Sequence, residues 1–173
     1  MKRLSVLAAA LAVFVAGCGS SSTSPTTPAV STNTFTATLS PSSEVPPVAN
    51  AEASGSGTVT ATMLSTKDSA GNVAGASITF VVNLSGFPAG TPITGAHIHP
   101  GVAGTNGGVI VSAALASGEV VLTNGSGSFT KASIVVSPEV AQQIINTPAA
   151  FYFNTHSTLN PGGLARGQLV KTQ

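Results

Sequence analysis

Charged side chains are scarce in this 173-residue sequence. Asp, Glu, Lys and Arg make up 6% of it, against roughly 25% in ordinary globular proteins. Ser, Thr, Asn, Gly and Ala take their place, a composition that fits an exported β-rich protein better than a cytosolic enzyme. No cluster of basic residues is present, so we predict no nucleic-acid partner.

Cysteine and aspartate are even rarer. The single cysteine, Cys18, cannot form an internal disulfide. The single aspartate, Asp68, lies in a predicted turn, and the sequence contains no G-x-S-x-G segment, so a Ser/His/Asp triad is not indicated. We therefore expect no catalytic residues.

The amino terminus has the order of an export signal. Two basic residues precede an uncharged apolar run over residues 6–16, which is shorter than the roughly 20 apolar residues that a membrane-spanning helix needs. The run ends in the letters VAGC, which resemble the lipobox of bacterial lipoproteins. That resemblance implies a signal peptide of residues 1–17, cleavage after Gly17 and a lipid on Cys18 that anchors the chain in a membrane.

The residue after the cysteine bears on location. Resemblance to lipoproteins of two-membrane bacteria implies the outer membrane, if the organism has one, because Gly19 is not Asp. The alternative is a plain secretory signal with an incidental cysteine. Removal of residues 1–17 leaves four basic against five acidic residues, which changes the formal net charge from +1 to −1.

Beyond the signal, the pattern predicts a tether and one domain. Residues 18–32 combine Cys18 with a Ser/Thr/Pro-rich stretch without periodicity, which predicts a disordered tether. Residues 33–173 are predicted to form an all-β, antiparallel, Greek-key-like sandwich or barrel. The predicted strands are 34–39, 58–64, 76–84, 93–99, 109–115, 119–122, 128–136, 151–155 and 164–170. One short helix is predicted near residues 138–146, with Ser137 as its cap and Pro138 at its first position.

All three histidines lie in two short segments. His97 and His99 are one residue apart, which places both side chains on one face of a strand. His156 ends the segment 151–156. Three imidazoles that converge at strand ends would bind copper or zinc. The other interpretation is that the histidines hydrogen bond to loop backbone and hold the Gly-rich turn after His99.

Five blocks of sequence resemble the CHRD domain, named for the repeated domain of chordin. They run in the family's order from about residue 33 to the C-terminus: SEVPPV at 43–48, GAHIHPG at 95–101, NGGVIV at 106–111, FYFNTH at 151–156 and NPGGLARGQL at 160–169. Phe153 departs from a commonly β-branched position, and Leu164-Ala165 from one that is commonly acidic. The resemblance implies an extracytoplasmic β-domain with a binding or structural role and an unknown protein or glycan ligand.

A weaker similarity points to copper–zinc superoxide dismutases. It rests on the Gly-x-His-x-His strand with its Gly-rich loop and on the stretch that ends at Arg166. That family's copper site takes four histidines, its zinc site takes more, and its disulfide takes two cysteines, whereas this sequence has three histidines and one cysteine. The similarity therefore implies at most a reduced copper site and does not favour dismutase activity.

Arg166 is the only arginine after the predicted signal peptide. It lies among small residues, which predicts a partly buried guanidinium held in a bidentate pair. Glu44 is the expected partner because it lies in the other charged block. We favour a structural ion pair between the N-terminal segment and the last strand over a ligand-binding role.

Overall fold

The computed structural model describes residues 28–173. The predicted signal peptide, Cys18 and the first part of the predicted tether lie outside the described residues. Within residues 28–173, no helix has the length and apolar character that a membrane crossing demands.

Strands dominate the described part of the chain. They are β1 Val30–Leu39, β2 Ser56–Lys67, β3 Val73–Ser85, β4 Thr91–Pro100, β5 Val111–Ser112, β6 Val120–Leu122, β7 Gly127–Val136, β8 Phe151–Ser157, β9 Ala165–Gln168 and β10 Val170–Lys171. The α-helix α1 is Pro138–Asn146, and single 3-10 turns occupy Pro41–Ser43 and Pro148–Ala150.

The strands form two antiparallel sheets that pack face to face. The first sheet has the order β10-β1-β2-β3-β7, and the second has the order β5-β4-β8-β9, with β6 also paired to β4. In the first sheet, the consecutive strands β1, β2 and β3 lie side by side, and β10 from the C-terminal end of the chain pairs with β1. The predicted all-β antiparallel sandwich with one short helix is therefore confirmed.

The core lies between the two sheets. Every second residue along β2 is buried from Gly57 to Ser65, as expected for a strand with one face in the core. Phe80 of the first sheet meets Phe153 of the second, with ring centroids 5.2 Å apart. Both rings are fully buried, so they help to join the sheets through apolar burial.

The helix forms where the local signals place it. The Ser137 hydroxyl accepts a hydrogen bond from the Val140 amide at 3.4 Å, and Pro138 begins the first turn. Ala141 and Ile144 are buried and share one helix face, which packs the helix against the sandwich. The prediction of a helix over residues 138–146 is confirmed.

Three differences from the prediction go beyond strand ends that shift by one to three residues. Strand β1 begins at Val30, so residues 30–32 of the predicted tether pair with β2 rather than lying free. The predicted strand 109–115 is reduced to β5, because the backbone turns to a positive φ of 50° at Ala114. The predicted strand 164–170 divides into β9 and β10, which belong to different sheets.

Candidate metal site

The three histidines lie on two neighbouring strands of the second sheet. His97 and His99 are on β4, and His156 is on β8. In the register of these strands His97 is opposite Asn154. Because side chains alternate along a strand, both β4 histidines and both of these β8 residues share one face. That face is the outer one, since Ile98 between the β4 histidines is fully buried in the core.

The structure brings the three imidazoles together. One ligand nitrogen from each of His97, His99 and His156 lies within 4.8 Å of the others. The closest pair, His97 Nδ1 and His156 Nε2, is 3.0 Å apart. His99 is buried, while the other two rings are half-buried. Solvent can therefore reach the site from the side of His97 and His156, whereas the side of His99 is buried.

Backbone carbonyls hold two of the rings. His99 Nδ1 lies 2.9 Å from the Gly107 carbonyl oxygen, and His156 Nδ1 lies 2.9 Å from the Pro161 carbonyl oxygen. A carbonyl only accepts, so each Nδ1 carries the hydrogen and each Nε2 keeps a lone pair. His99 Nε2 is buried without a hydrogen-bond partner among residues 28–173. Metal-bound histidines have this arrangement, with one nitrogen held and the other free.

Burial favours the neutral form of His97 and His156. It lowers the pKa of His97 to about 4, with further lowering from the charges of His156 and His99. Burial also lowers the pKa of His156, and the charge of His99 adds to this, while the hydrogen bond to Pro161 opposes it. Neutral imidazole is the form that binds a metal ion, so the lowered pKa values of these two rings favour metal binding at neutral pH.

A stack of planar groups supports His99. The Tyr152 ring lies parallel to the imidazole at 4.9 Å between centroids and 4° between planes. Arg166 covers the Tyr152 ring, with Cζ 4.6 Å from its centroid. This stack limits the movement of the His99 ring. The sequence analysis did not single out Tyr152, although its even spacing from His156 on β8 places it on the site's face.

Glu44 and Arg166 also come together, but not as a bidentate pair. Arg166 Nε lies 3.7 Å from Glu44 Oε2, and both side chains are buried. The guanidinium instead donates to the Ser43 carbonyl at 2.6 Å, and to the Thr105 carbonyl and Asn106 Oδ1 at 3.0 Å each. The predicted bidentate geometry was wrong, because the guanidinium hydrogen bonds to acceptors on two other segments instead of to the Glu44 carboxylate.

The buried pair of Glu44 and Arg166 contains polar atoms that lack hydrogen-bond partners. Glu44 Oε1 and Arg166 Nη2 have no hydrogen-bond partner within the described ranges. Burial raises the pKa of Glu44 to about 7, against smaller opposing effects of the Arg166 charge and a hydrogen bond from Asn154. The carboxyl is therefore close to half-protonated at neutral pH.

A second buried acid, Glu52, holds the loop behind His156. Its carboxylate accepts from the Ser157 hydroxyl at 2.6 Å and from the Asn160 amide. Asn160 precedes Pro161, whose carbonyl holds His156. Glu52 was not predicted from the sequence, because a lone acid in a small-residue loop carries no recognisable signal.

The donor chemistry suits a transition-metal ion. His97, His99 and His156 offer neutral nitrogen, and no cysteine or carboxylate joins them in the cluster found among the described residues. Imidazole nitrogen suits copper and zinc. The residues present therefore fit the two metals that the sequence predicted, and the site lies beside the buried Glu44–Arg166 pair.

Comparison with known proteins gives one match. A family model described as the CHRD domain matches residues 35–169. That range contains the three histidines, Glu44 and Arg166. No curated protein and no solved structure matches the chain.

Proposed function

The chain belongs to the CHRD domain family, and on that premise we propose that its β-domain binds one copper or zinc ion through His97, His99 and His156. The observation that carries this proposal is the convergence of three ligand nitrogens within 4.8 Å. In His99 and His156, the nitrogen that does not face the cluster, Nδ1, already hydrogen bonds to a backbone carbonyl. The role is one of binding, with no catalytic residue assigned.

The spacing of the nitrogens supports one shared ion. Zn–N bonds are about 2.0–2.1 Å, so two ligands at a tetrahedral angle lie about 3.3 Å apart. His97 Nδ1 and His156 Nε2 are 3.0 Å apart, close to that value. The third nitrogen, on His99, would reach the ion after an inward movement of roughly 1 Å, a shift within the range of side-chain motion.

Metal titration tests the proposal directly. The full chain, purified without an affinity tag, should take up about one Zn²⁺ or Cu²⁺ in competition with a chelator. The double variant His97→Ala/His99→Ala should lose this uptake. Asp68→Asn is the matched control. Because Asp68 is an exposed turn residue, this substitution should leave metal uptake at the wild-type value. A wild-type chain that binds neither ion would contradict the proposal.

We also propose that the domain lies outside the cytoplasm, tethered by a lipid on Cys18. The order of basic residues, apolar run and lipobox-like letters supports this, as does the low charge content. The site of attachment is the cell envelope, at the outer membrane if the organism has one. Wild-type protein should fractionate with membranes and Cys18→Ala should not; identical fractionation of the two would contradict the anchor.

A further inference from the structure

Asn154 lies beside the histidine cluster and has no role in the proposal above. It is 2% exposed and sits on β8, opposite His97 and two residues before His156. Its Oδ1 is 3.1 Å from His156 Nε2. A buried amide therefore faces the same nitrogen that we assign as a metal ligand.

The contact between Asn154 and His156 joins two acceptors. A neutral imidazole has one N–H, and the Pro161 carbonyl takes it at Nδ1, so His156 Nε2 presents a lone pair. An amide oxygen also presents lone pairs, so neither atom can donate to the other, and both can coordinate one cation. Their 3.1 Å separation is close to the roughly 3.3 Å expected for two ligands of one tetrahedral ion.

We infer that Asn154 Oδ1 is the fourth ligand of the site and that the ion it takes is divalent, Zn²⁺ or Cu²⁺. This inference rests on the proposed function. Three imidazole nitrogens and one amide oxygen form a closed N₃O set, which suits tetrahedral Zn²⁺ or tetragonal Cu²⁺. Such a site has no open position for a bound water, which is typical of sites that hold a metal rather than catalyse with it.

Two substitutions of Asn154 test the assignment in opposite directions. In chelator-competition titrations of the full chain, Asn154→Ala should weaken Zn²⁺ binding at least about tenfold, since outer-shell losses alone cost 10–100-fold. Asn154→Asp should tighten it, because the charged carboxylate is a stronger ligand in the same place. Both should still bind about one ion per chain, and both should change the Cu²⁺ electron paramagnetic resonance spectrum. A purely structural role would not give shifts of opposite sign.

The matched control is Asn33→Ala. Asn33 is also a buried asparagine, 8% exposed, but it lies on β1 of the other sheet, so Zn²⁺ affinity should stay at the wild-type value. Thermal unfolding checks that each variant is folded. If the alanine variant does not fold, Asn154→Asp decides: an affinity no higher than wild type overturns the inference. Wild-type affinity and spectrum in a folded Asn154→Ala also overturn it, whereas failure of the wild-type chain to bind either ion overturns the proposed function itself.

Discussion

The two closest histidines approach each other beside a residue without a side chain. Gly95 pairs with His156 across β4 and β8, and a Cβ there would lie 2.9 Å from His97 Cε1 and 3.4 Å from His156 Cδ2. Gly95→Ala should therefore displace the His97 ring and weaken Zn²⁺ binding by about tenfold, with little change in melting temperature because the ring is half-buried and can move. Chelator competition and thermal unfolding measure the two effects. Gly108→Ala is the control, since its Cβ would have no neighbour within 4 Å.

Glu44 should add a pH dependence to stability. Its pKa is raised from 4.5 to about 7 in the folded chain, so folding favours the protonated carboxyl. The contribution is fully present below pH 4.5 and is lost as the pH rises through about 7. Wild type should therefore lose stability relative to Glu44→Gln between about pH 5 and about pH 8, by no more than about 3 kcal/mol.

Denaturant unfolding of metal-free protein across this pH range measures that loss. His97 and His156 have lowered pKa values and act in the opposite direction, but they are present in both proteins and cancel in the difference. Curves for wild type and Glu44→Gln that stay parallel from acid to neutral pH would show that burial does not perturb this carboxyl.

At the scale of strands, the approach of β9 to β1 depends on Gly167. A Cβ at this position would overlap the Thr38 carbonyl oxygen and lie 3.3 Å from the Ala37 side chain. The obstructing atom belongs to the backbone of a paired strand and cannot move aside. Gly167→Ala should therefore destabilise the fold by about 3 kcal/mol, the upper end of typical overpacking costs. Gly162→Ala, whose Cβ meets nothing within 4 Å, should unfold at the wild-type denaturant concentration.

The sequence predicted elements whose signals are local. The helix 138–146 depends on a serine cap and a proline within a few residues, and both are read without knowing the fold. Strand β1 is different, because residues 30–32 are ordered by pairing with residues 64–66 of β2. The segment 164–170 alternates like one strand, but Leu169 is buried where the chain passes from one sheet to the other, and that crossing depends on the whole sandwich.

The same limit applies to the site. Alternation along a strand predicted that His97 and His99 share a face. Their meeting with His156 required the pairing of β4 with β8 in one register, which the sequence did not specify. The position of Asn154 could have been predicted, since a spacing of two residues places it on the same strand face as His156. The role of Glu52 could not have been predicted, because it holds His156 indirectly, through a loop that forms only in the folded chain.

The molecule as a whole uses the two faces of its second sheet differently. One face packs on the core, and the other carries the histidines, Tyr152, Asn154 and Arg166. Arg166 connects this polar face to distant parts of the chain, because it donates to Ser43 before β2 and to residues 105–106 after β4. The site is thus enclosed by segments that lie at least 60 residues from Arg166 in the sequence.

This central position gives the final prediction. Arg166→Ala would leave a buried carboxyl without its opposite charge and three acceptors without their donor, so it should lower the free energy of unfolding by about 3–5 kcal/mol. Glu44→Ala should cost less, because its contact with Arg166 is 3.7 Å long and its carboxyl is already close to half-protonated. Since both act on one pair, the double variant should cost less than the sum of the two.

Guanidinium unfolding at neutral pH measures the free energy of unfolding of all three variants. The partly solvated pair of Lys131 and Glu119 serves as the reference against which these losses are compared. That pair is 2.8 Å long but partly solvated, so Lys131→Ala should cost no more than about 1 kcal/mol. If Arg166→Ala costs as little as Lys131→Ala, the arginine does not join these segments. The larger loss is expected because burial matters more than length: the side chains of Arg166 and Glu44 are 3% and 5% exposed, against 21% and 36% for Lys131 and Glu119.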